Sequence, residues 1–261
     1  MKRKLYTKSH DLGLLKDIDN DGGIFTAAEH SYISKKENEK YTKSKESLLH
    51  HYLSLNAKMK FSALGFVIDY INASGFQNVL SMGAGECVLE YLLRLGLPGP
   101  ATVTATDFDS FFIEKANEFF PSIFSIRFDF FQDDVKDLQK KTGIDFDISI
   151  FFGSSYVMDD LEFIKLFNDL REIRVKRIKD FHAGYIDWQT YILNQLTPLK
   201  NFDLIRKLFG KAPLGKDGYR GKFHGYGRSR GELRKLYKLA GLRLRQELKI
   251  GTYKYVAICS S

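Results

Sequence analysis

From residue 75 onward, short apolar runs alternate with segments of helical period, and this alternation restricts the fold more than any other feature. Residues 79–82 read as a first strand and 86–95 as a helix with Leu89, Leu92 and Leu93 on one face. The β-branched run 101–107 is a second strand. A helix over 110–120 then turns Phe112, Ile113, Ala116 and Phe120 inward. A strand over 123–131, a helix over 135–141, a strand over 146–152 and a helix over 161–173 continue the series. The stretch 175–182 fits a fifth strand, although Lys176, Arg177, Lys179 and Asp180 make it unusually charged for a central one. After a helix over 230–240, residues 242–250 and 252–259 form a hairpin turning at Gly251. The expected fold is α/β: a doubly wound, mainly parallel, seven-stranded sheet ending in an antiparallel pair.

Two regions stand outside this repeat. Residues 1–74 are polar and then helical from about Ser44 to Ala73, and are expected to form a cap over a ligand. Residues 75–261 make up the main domain. Within it, 185–228 is a long insertion with a glycine- and aromatic-rich part, the kind of segment that carries substrate specificity. At 261 residues and 44% hydrophobic, the chain can bury one large core. No window approaches the ~18 apolar residues of a membrane span. The basic start at Met1-Lys2-Arg3-Lys4 is not followed by a signal-type apolar stretch. Cys87 and Cys259 lack metal-type spacing, which points away from zinc or disulfide chemistry and towards a reducing, cytoplasmic setting. The net charge of +8 is concentrated: residues 199–249 hold fifteen Lys and Arg against four Asp and Glu. An anionic partner or a solvated basic face would each account for that.

The chemistry begins at Asn78-Val79-Leu80-Ser81-Met82-Gly83-Ala84-Gly85-Glu86-Cys87, where a strand turns sharply into a helix. Such a turn presents backbone N–H groups and a positive helix end, and glycine lets a ligand lie against them. Gly83, Ala84 and Gly85 therefore suggest a nucleotide-type ligand at the carboxyl edge of the sheet. Asp107, at the end of the second strand with Phe108 beside it, can accept the ribose hydroxyls of an adenine nucleoside. Its alternative is to cap the next helix, for which Asp109 and Ser110 are better placed. After the third strand, Asp133 or Asp134 can accept an adenine amino group while Val135 packs on the ring. One of the two acids has a competing use as an N-cap. Phe152-Gly153-Ser154-Ser155-Tyr156 follows the fourth strand.

This order resembles the class I S-adenosylmethionine-dependent methyltransferases: a glycine turn, acids after strands two and three, and Phe146-Asp147-Ile148 opening strand four. The ending, from Ser229-Arg230-Gly231-Glu232-Leu233 through Ala240-Gly241-Leu242 to the Gly251 hairpin, is similar to the family's last helix and antiparallel strands. The resemblance spans about residues 75–260. It implies S-adenosyl-L-methionine as methyl donor, with Gly153 and Ser154 under its methionine part. Two positions depart from the family: Ser81 stands where an acid usually contacts the cofactor, and Cys87 where a third glycine is usual. A nicotinamide dehydrogenase shares the turn and the acid, but its third glycine would fall at Val88, and the terminal hairpin speaks against it.

On the acceptor side, His182 and His224 are candidate general bases, each with aromatic neighbours, and Tyr156 joins them as a third catalytic candidate. Each histidine has packing as its alternative role. The segment Asp17-Ile18-Asp19-Asn20-Asp21-Gly22-Gly23-Ile24 imitates a calcium loop, but its twelfth position is Ala28, so an acidic turn is expected and no metal site. The segment after strand four lacks the Asn/Asp-Pro-Pro-aromatic motif of amino-nitrogen base methylation and a nucleophilic cysteine. The expected acceptor is a small molecule or sugar residue, with RNA second through the 199–249 region. A module that binds the cofactor without catalysis is the third reading.

Overall fold

The computed structural model describes residues 42–130, 132–185, 226–251 and 253–261, with the side chains of 54–60 outside that description. Seven strands form one sheet in the order β3-β2-β1-β4-β5-β7-β6. They are β1 (Asn78–Met82), β2 (Thr102–Asp107), β3 (Phe124–Arg127), β4 (Ile148–Phe152), β5 (Arg177–Phe181), β6 (Arg243–Ile250) and β7 (Tyr253–Ser260). The first five pair in parallel, and β7 runs antiparallel to both β5 and β6. The chain leaves β1 towards β2 on one side and returns to β4 on the other. The crevice at their carboxyl ends is thus the switch point where such sheets hold ligands.

Helices cover both faces. On one lie α1 (Lys45–Ser74), α2 (Val88–Gly96) and α3 (Ser110–Phe119); on the other lie α4 (Val135–Thr142), α5 (Asp160–Glu172) and α6 (Arg230–Leu239). Strand alternation divides the apolar side chains between two cores: Val79, Val103 and Ile150 on the first face, Leu80, Phe151 and Ile178 on the second. Ser44 caps α1 by accepting from the Ser47 N–H, and Gly75 ends it in the left-handed conformation. Leu48, Tyr52, Leu64, Val67 and Ile71 of α1 belong to the same core as β1 and α2, so this part of the N-terminal extension is a layer of the fold.

Two boundaries differ clearly from the sequence expectation, and one charged strand proves central. Helix α2 starts at Val88, not Glu86, because Cys87 is held at φ 57°, outside helical space. Strand β3 stops at Arg127: the Asp129 N–H donates to the Asp133 carboxylate, and the Gln132 and Asp133 N–H groups donate to the Asp129 carbonyl, closing a turn where more strand was expected. Strand β5 is central despite its charges. Lys179 lies over the rings of Tyr70 (3.3 Å to the centroid) and Phe66 (4.0 Å), while Asp180 accepts from the Tyr237 hydroxyl at 2.6 Å. Burial pushes the Lys179 ammonium down to about 7. Among the described residues no helix is long and apolar enough to cross a membrane.

Candidate active site at the carboxyl edge

The glycine turn is tied to the end of β2. The Gly83 and Ala84 N–H groups both donate to the Thr106 carbonyl, at 2.9 and 2.8 Å. The Gly85 N–H donates to Asp107 Oδ2 at 2.8 Å, and Asp107 Oδ1 accepts from the Asp109 N–H at 3.0 Å. Asp109, not Asp107, caps α3. Asp107 is almost wholly buried, and burial raises its carboxyl to about 6 even though two backbone donors favour the charge. Each of its oxygens retains a lone pair, so the backbone bonds leave acceptor capacity.

The two glycines differ. Both have positive φ, 71° at Gly83 and 58° at Gly85. A Cβ on Gly83 would stand 2.5 Å from Ser154 Cβ, whereas one on Gly85 would meet nothing within 4 Å. The turn therefore seals against the β4 loop at Gly83, where Ser154 Oγ also donates to the Met82 carbonyl, and stays open at Gly85. Gly83, Ala84, Gly85 and Glu86 all keep partly exposed surface, as do Gly153 and Ser154 opposite. An open glycine beside a buried carboxylate is the arrangement a nucleoside ligand fits.

Ser81 is buried and donates to Glu90 Oε1 at 2.7 Å. Glu90, on the first turn of α2, thus brings a carboxylate to the end of β1. Sequence reasoning missed Glu90. The available signal was an acid on the buried face of the helix that leaves the turn. Cys87 has a left-handed backbone, the conformation that favours glycine, with its thiol buried and directed to the Gly85 carbonyl at 3.4 Å.

After β3 the two acids divide the work. Asp134 caps α4 by accepting from the Lys136 N–H at 2.8 Å, and Asp133 closes the 129–133 turn. Both border a cavity of about 170 Å³ also lined by Phe128 and Leu138. Val135, expected against the adenine ring, has no exposed surface. Opening α4, it turns onto the sheet and joins Leu138 and Phe128 in the core. Phe108 is half-buried beside Asp107.

The residues expected on the acceptor side come from β4, β5 and the base of the insertion. Tyr156 is buried in a short 3-10 turn, Ser155–Val157, and its carbonyl accepts from the Tyr226 N–H at 2.7 Å. Tyr185 and Arg228 form a parallel bridge, so residues 184–185 and 226–228 close the insertion at its base. Arg228 is buried, donating to the Met158 carbonyl (2.6 Å) and to Asp160 (3.2 Å). His182 is buried with its Nδ1 2.9 Å from Ser155 Oγ and 3.5 Å from Asp180 Oδ2. Its Nε2 has no hydrogen-bond partner among the described residues, an arrangement that costs about 1–3 kcal/mol while it lasts. Asp180, Ser155 and Tyr237 escaped the sequence reading. The Asp-x-His spacing, which places both side chains on one side of an extended chain, was the signal. His224 and the acidic 17–24 segment lie outside the described residues.

No protein-family model matches the sequence, and no curated protein is detectably similar to it. Solved structures do match. DesVI of Streptomyces venezuelae superposes with a TM-score of 0.55 at 10% identity over 82% of this chain and 98% of its own. Human N-acetylserotonin methyltransferase in complex with SAM gives 0.53 at 16% identity, over 98% of this chain and 71% of its own. Magnesium protoporphyrin IX methyltransferase from Synechocystis PCC 6803, with bound SAH, gives 0.50 at 16% identity over 76% and 80%. With the strand order above, the chain has the fold of the class I S-adenosylmethionine-dependent methyltransferases.

Proposed function

We propose that this protein is an S-adenosylmethionine-dependent methyltransferase acting on a small molecule or sugar residue. The observation that carries this reading is the Asp107 carboxylate held directly against the open Gly85 turn at the switch point. The cofactor supplies a methyl group already activated on a sulfonium. Asp107 accepts its ribose hydroxyls, the Gly83–Gly85 turn and the Gly153-Ser154 loop flank its chain, and Phe108, Asp133 and Asp134 border the adenine. Glu90, held by Ser81, offers its ammonium group a carboxylate. The protein's main task is to hold donor and acceptor in line at near contact distance.

Two of the similar structures are by name methyltransferases of N-acetylserotonin and of magnesium protoporphyrin IX, which supports a low-molecular-weight acceptor. RNA is the second reading, favoured by exposed Lys235, Lys238, Arg243, Arg245 and Lys249 on α6 and β6. Against it, Arg230 and Arg234 of the same face are both paired with Glu247. Calorimetry with S-adenosylmethionine tests the donor: binding is expected, and its absence well above cellular concentrations refutes the proposal. Methyl-labelled cofactor with fractionated lysate tests the acceptor, with label expected in the low-molecular-weight or saccharide fraction. Label in RNA, with steeply salt-dependent RNA binding, would reverse the order of the two readings.

A further inference from the structure

The buried hydroxyls and carboxylate behind His182 determine which of its nitrogens carries the proton. Ser155 has one hydroxyl proton, and its oxygen lies within hydrogen-bond distance of both Asp180 Oδ1 and His182 Nδ1. Asp180 as a carboxylate can only accept, so the Ser155 proton goes to it. The Tyr237 hydroxyl donates to the other oxygen, Asp180 Oδ2, at 2.6 Å. Ser155 Oγ is then left as an acceptor towards His182, and Nδ1 must be the donor. An Nδ1–H imidazole carries its lone pair on Nε2, the atom with no partner among the described residues.

Nε2 lies beside Gly184, at the base of the insertion. A Cβ at residue 184 would stand 2.5 Å from the Tyr226 carbonyl oxygen and 2.9 Å from Tyr156 Cβ, so glycine is what lets the returning strand pack here, with Nε2 at ordinary contact distance, 3.5 Å. Gly184 pairs with the strand returning from the insertion through its carbonyl, which accepts from the Arg228 N–H at 2.9 Å. The charged groups that act on this chain are Asp180 and the buried Arg228, whose field reaches Asp180.

We propose that His182 Nε2 takes the proton from a hydroxyl-bearing methyl acceptor, and that Ser155, Asp180 and Tyr237 are positioning residues that hold His182 in the Nδ1–H tautomer. This rests on the transferase reading above and narrows its acceptor to an alcohol or phenol. The step balances. The acceptor oxygen bonds to the methyl carbon, the methyl–sulfur pair goes to sulfur, and the hydroxyl proton moves to Nε2. The resulting imidazolium is stabilised through Nδ1–H by the Ser155–Asp180 chain and later loses its proton to water.

Two measurements test it. Long-range proton–nitrogen correlation spectra of protein labelled with nitrogen-15 histidine, assigned with His182→Gln, report the tautomer without any acceptor. Nδ1–H is expected in the parent protein, with Nε2–H becoming the major form in Ser155→Ala. Nε2–H in the parent, or no change in Ser155→Ala, overturns the proposal. Asp180→Asn serves as a second probe if it folds. The other measurement incubates carbon-13-methyl S-adenosylmethionine with the low-molecular-weight fraction of a cell extract and reads the labelled methyl by its carbon shift. O-methyl product is expected, reduced at least about a hundredfold in His182→Gln and about tenfold in Ser155→Ala, with cofactor affinity within about threefold of the parent. Label on nitrogen or carbon only, or full activity of His182→Gln, overturns it. No cofactor binding by the parent protein would refute the transferase reading, and the spectra would still decide the tautomer.

Discussion

Replacing Asp107 by Asn separates what the site needs from what the fold prefers. The carboxyl is raised from 3.8 to about 6, chiefly by burial. That difference corresponds to about 3 kcal/mol of disfavoured charge at neutral pH. Asn removes the charge but offers one acceptor oxygen to two backbone donors, the Gly85 and Asp109 N–H groups, so one loses its partner. Leaving it unsatisfied costs about 1–3 kcal/mol, which puts Asp107→Asn between unchanged and about 2 kcal/mol more stable. For a chain of this size that is a rise of up to about 6 °C in Tm. Because the folded value lies above the unfolded one, the wild-type penalty is complete above about 6 and disappears as pH falls towards 4. Over the same interval the variant should pass from equal or higher stability to about 1–3 kcal/mol below wild type, because the cost of its unpaired N–H does not depend on pH. Cofactor affinity should move the other way, since ribose hydroxyls donate better to a carboxylate. A loss of about 1.5–3 kcal/mol predicts binding weaker by roughly ten- to a hundredfold. Differential scanning calorimetry from pH 4 to 8 and titration calorimetry at pH 7.5 read the two effects. A variant that melts well below wild type at pH 7.5 yet binds the cofactor equally well would refute the argument.

Two further substitutions follow from the same geometry. Lys179→Met should stabilise the protein at pH 7. Burial of the ammonium disfavours it by about 5 kcal/mol relative to its ordinary value of 10.5, and the two ring faces offset about 2 kcal/mol. The depressed value means that wild-type stability rises between pH 7 and 10 on account of this group. Urea titrations across that range should show the rise in wild type and not in the variant. Gly83→Ala should cost at least about 2 kcal/mol, because its Cβ would stand 2.5 Å from Ser154 Cβ at a backbone φ of 71°. Gly85→Ala should fold with only the left-handed penalty, about 1–2 kcal/mol, and lose cofactor affinity instead. Equal melting temperatures for the two alanine variants would contradict the difference between a sealed and an open turn.

Much of the fold was legible because period-two and period-3.6 patterns switch at the turn residues, and each strand read from 79 to 152 exists in the structure. What local pattern could not reveal was how charge is compensated across the sheet. Strand β5 fitted the pattern but looked unusually charged for a central one. The rings under Lys179 come from α1, over a hundred residues earlier, and the hydroxyl on Asp180 comes from Tyr237 of α6. The same long-range pairing hid the Ser155–Asp180–His182 chain, whose members were read one segment at a time. Boundaries failed where a side chain captured the backbone, as Asp133 does at the end of β3. At Asp133-Asp134 the sequence recognised that capping and ligand binding compete, and the structure assigns the cap to Asp134.

Ser81 and Cys87, the two departures inside the turn, have different physical meanings. Cys87 stands in the left-handed conformation that favours glycine, so its cost is local strain of about 1–2 kcal/mol, partly offset by burial of the thiol. Ser81 gives up a carboxylate, and Glu90 brings one to the same place through the hydroxyl hydrogen bond. If the carboxylate matters and its origin does not, the two positions must be coupled. Ser81→Asp alone sets two buried carboxylates side by side and should destabilise by several kcal/mol. Glu90→Gln alone keeps an acceptor for the Ser81 hydroxyl, so it should fold normally and bind the cofactor about tenfold more weakly. The double variant moves the charge from the helix to the strand and should recover most of both stability and affinity. The interaction energy in that cycle is expected to exceed about 2 kcal/mol. Additive effects, with the double variant worse than either single one, would mean that Glu90 serves the packing of α2 and takes no part in holding the cofactor.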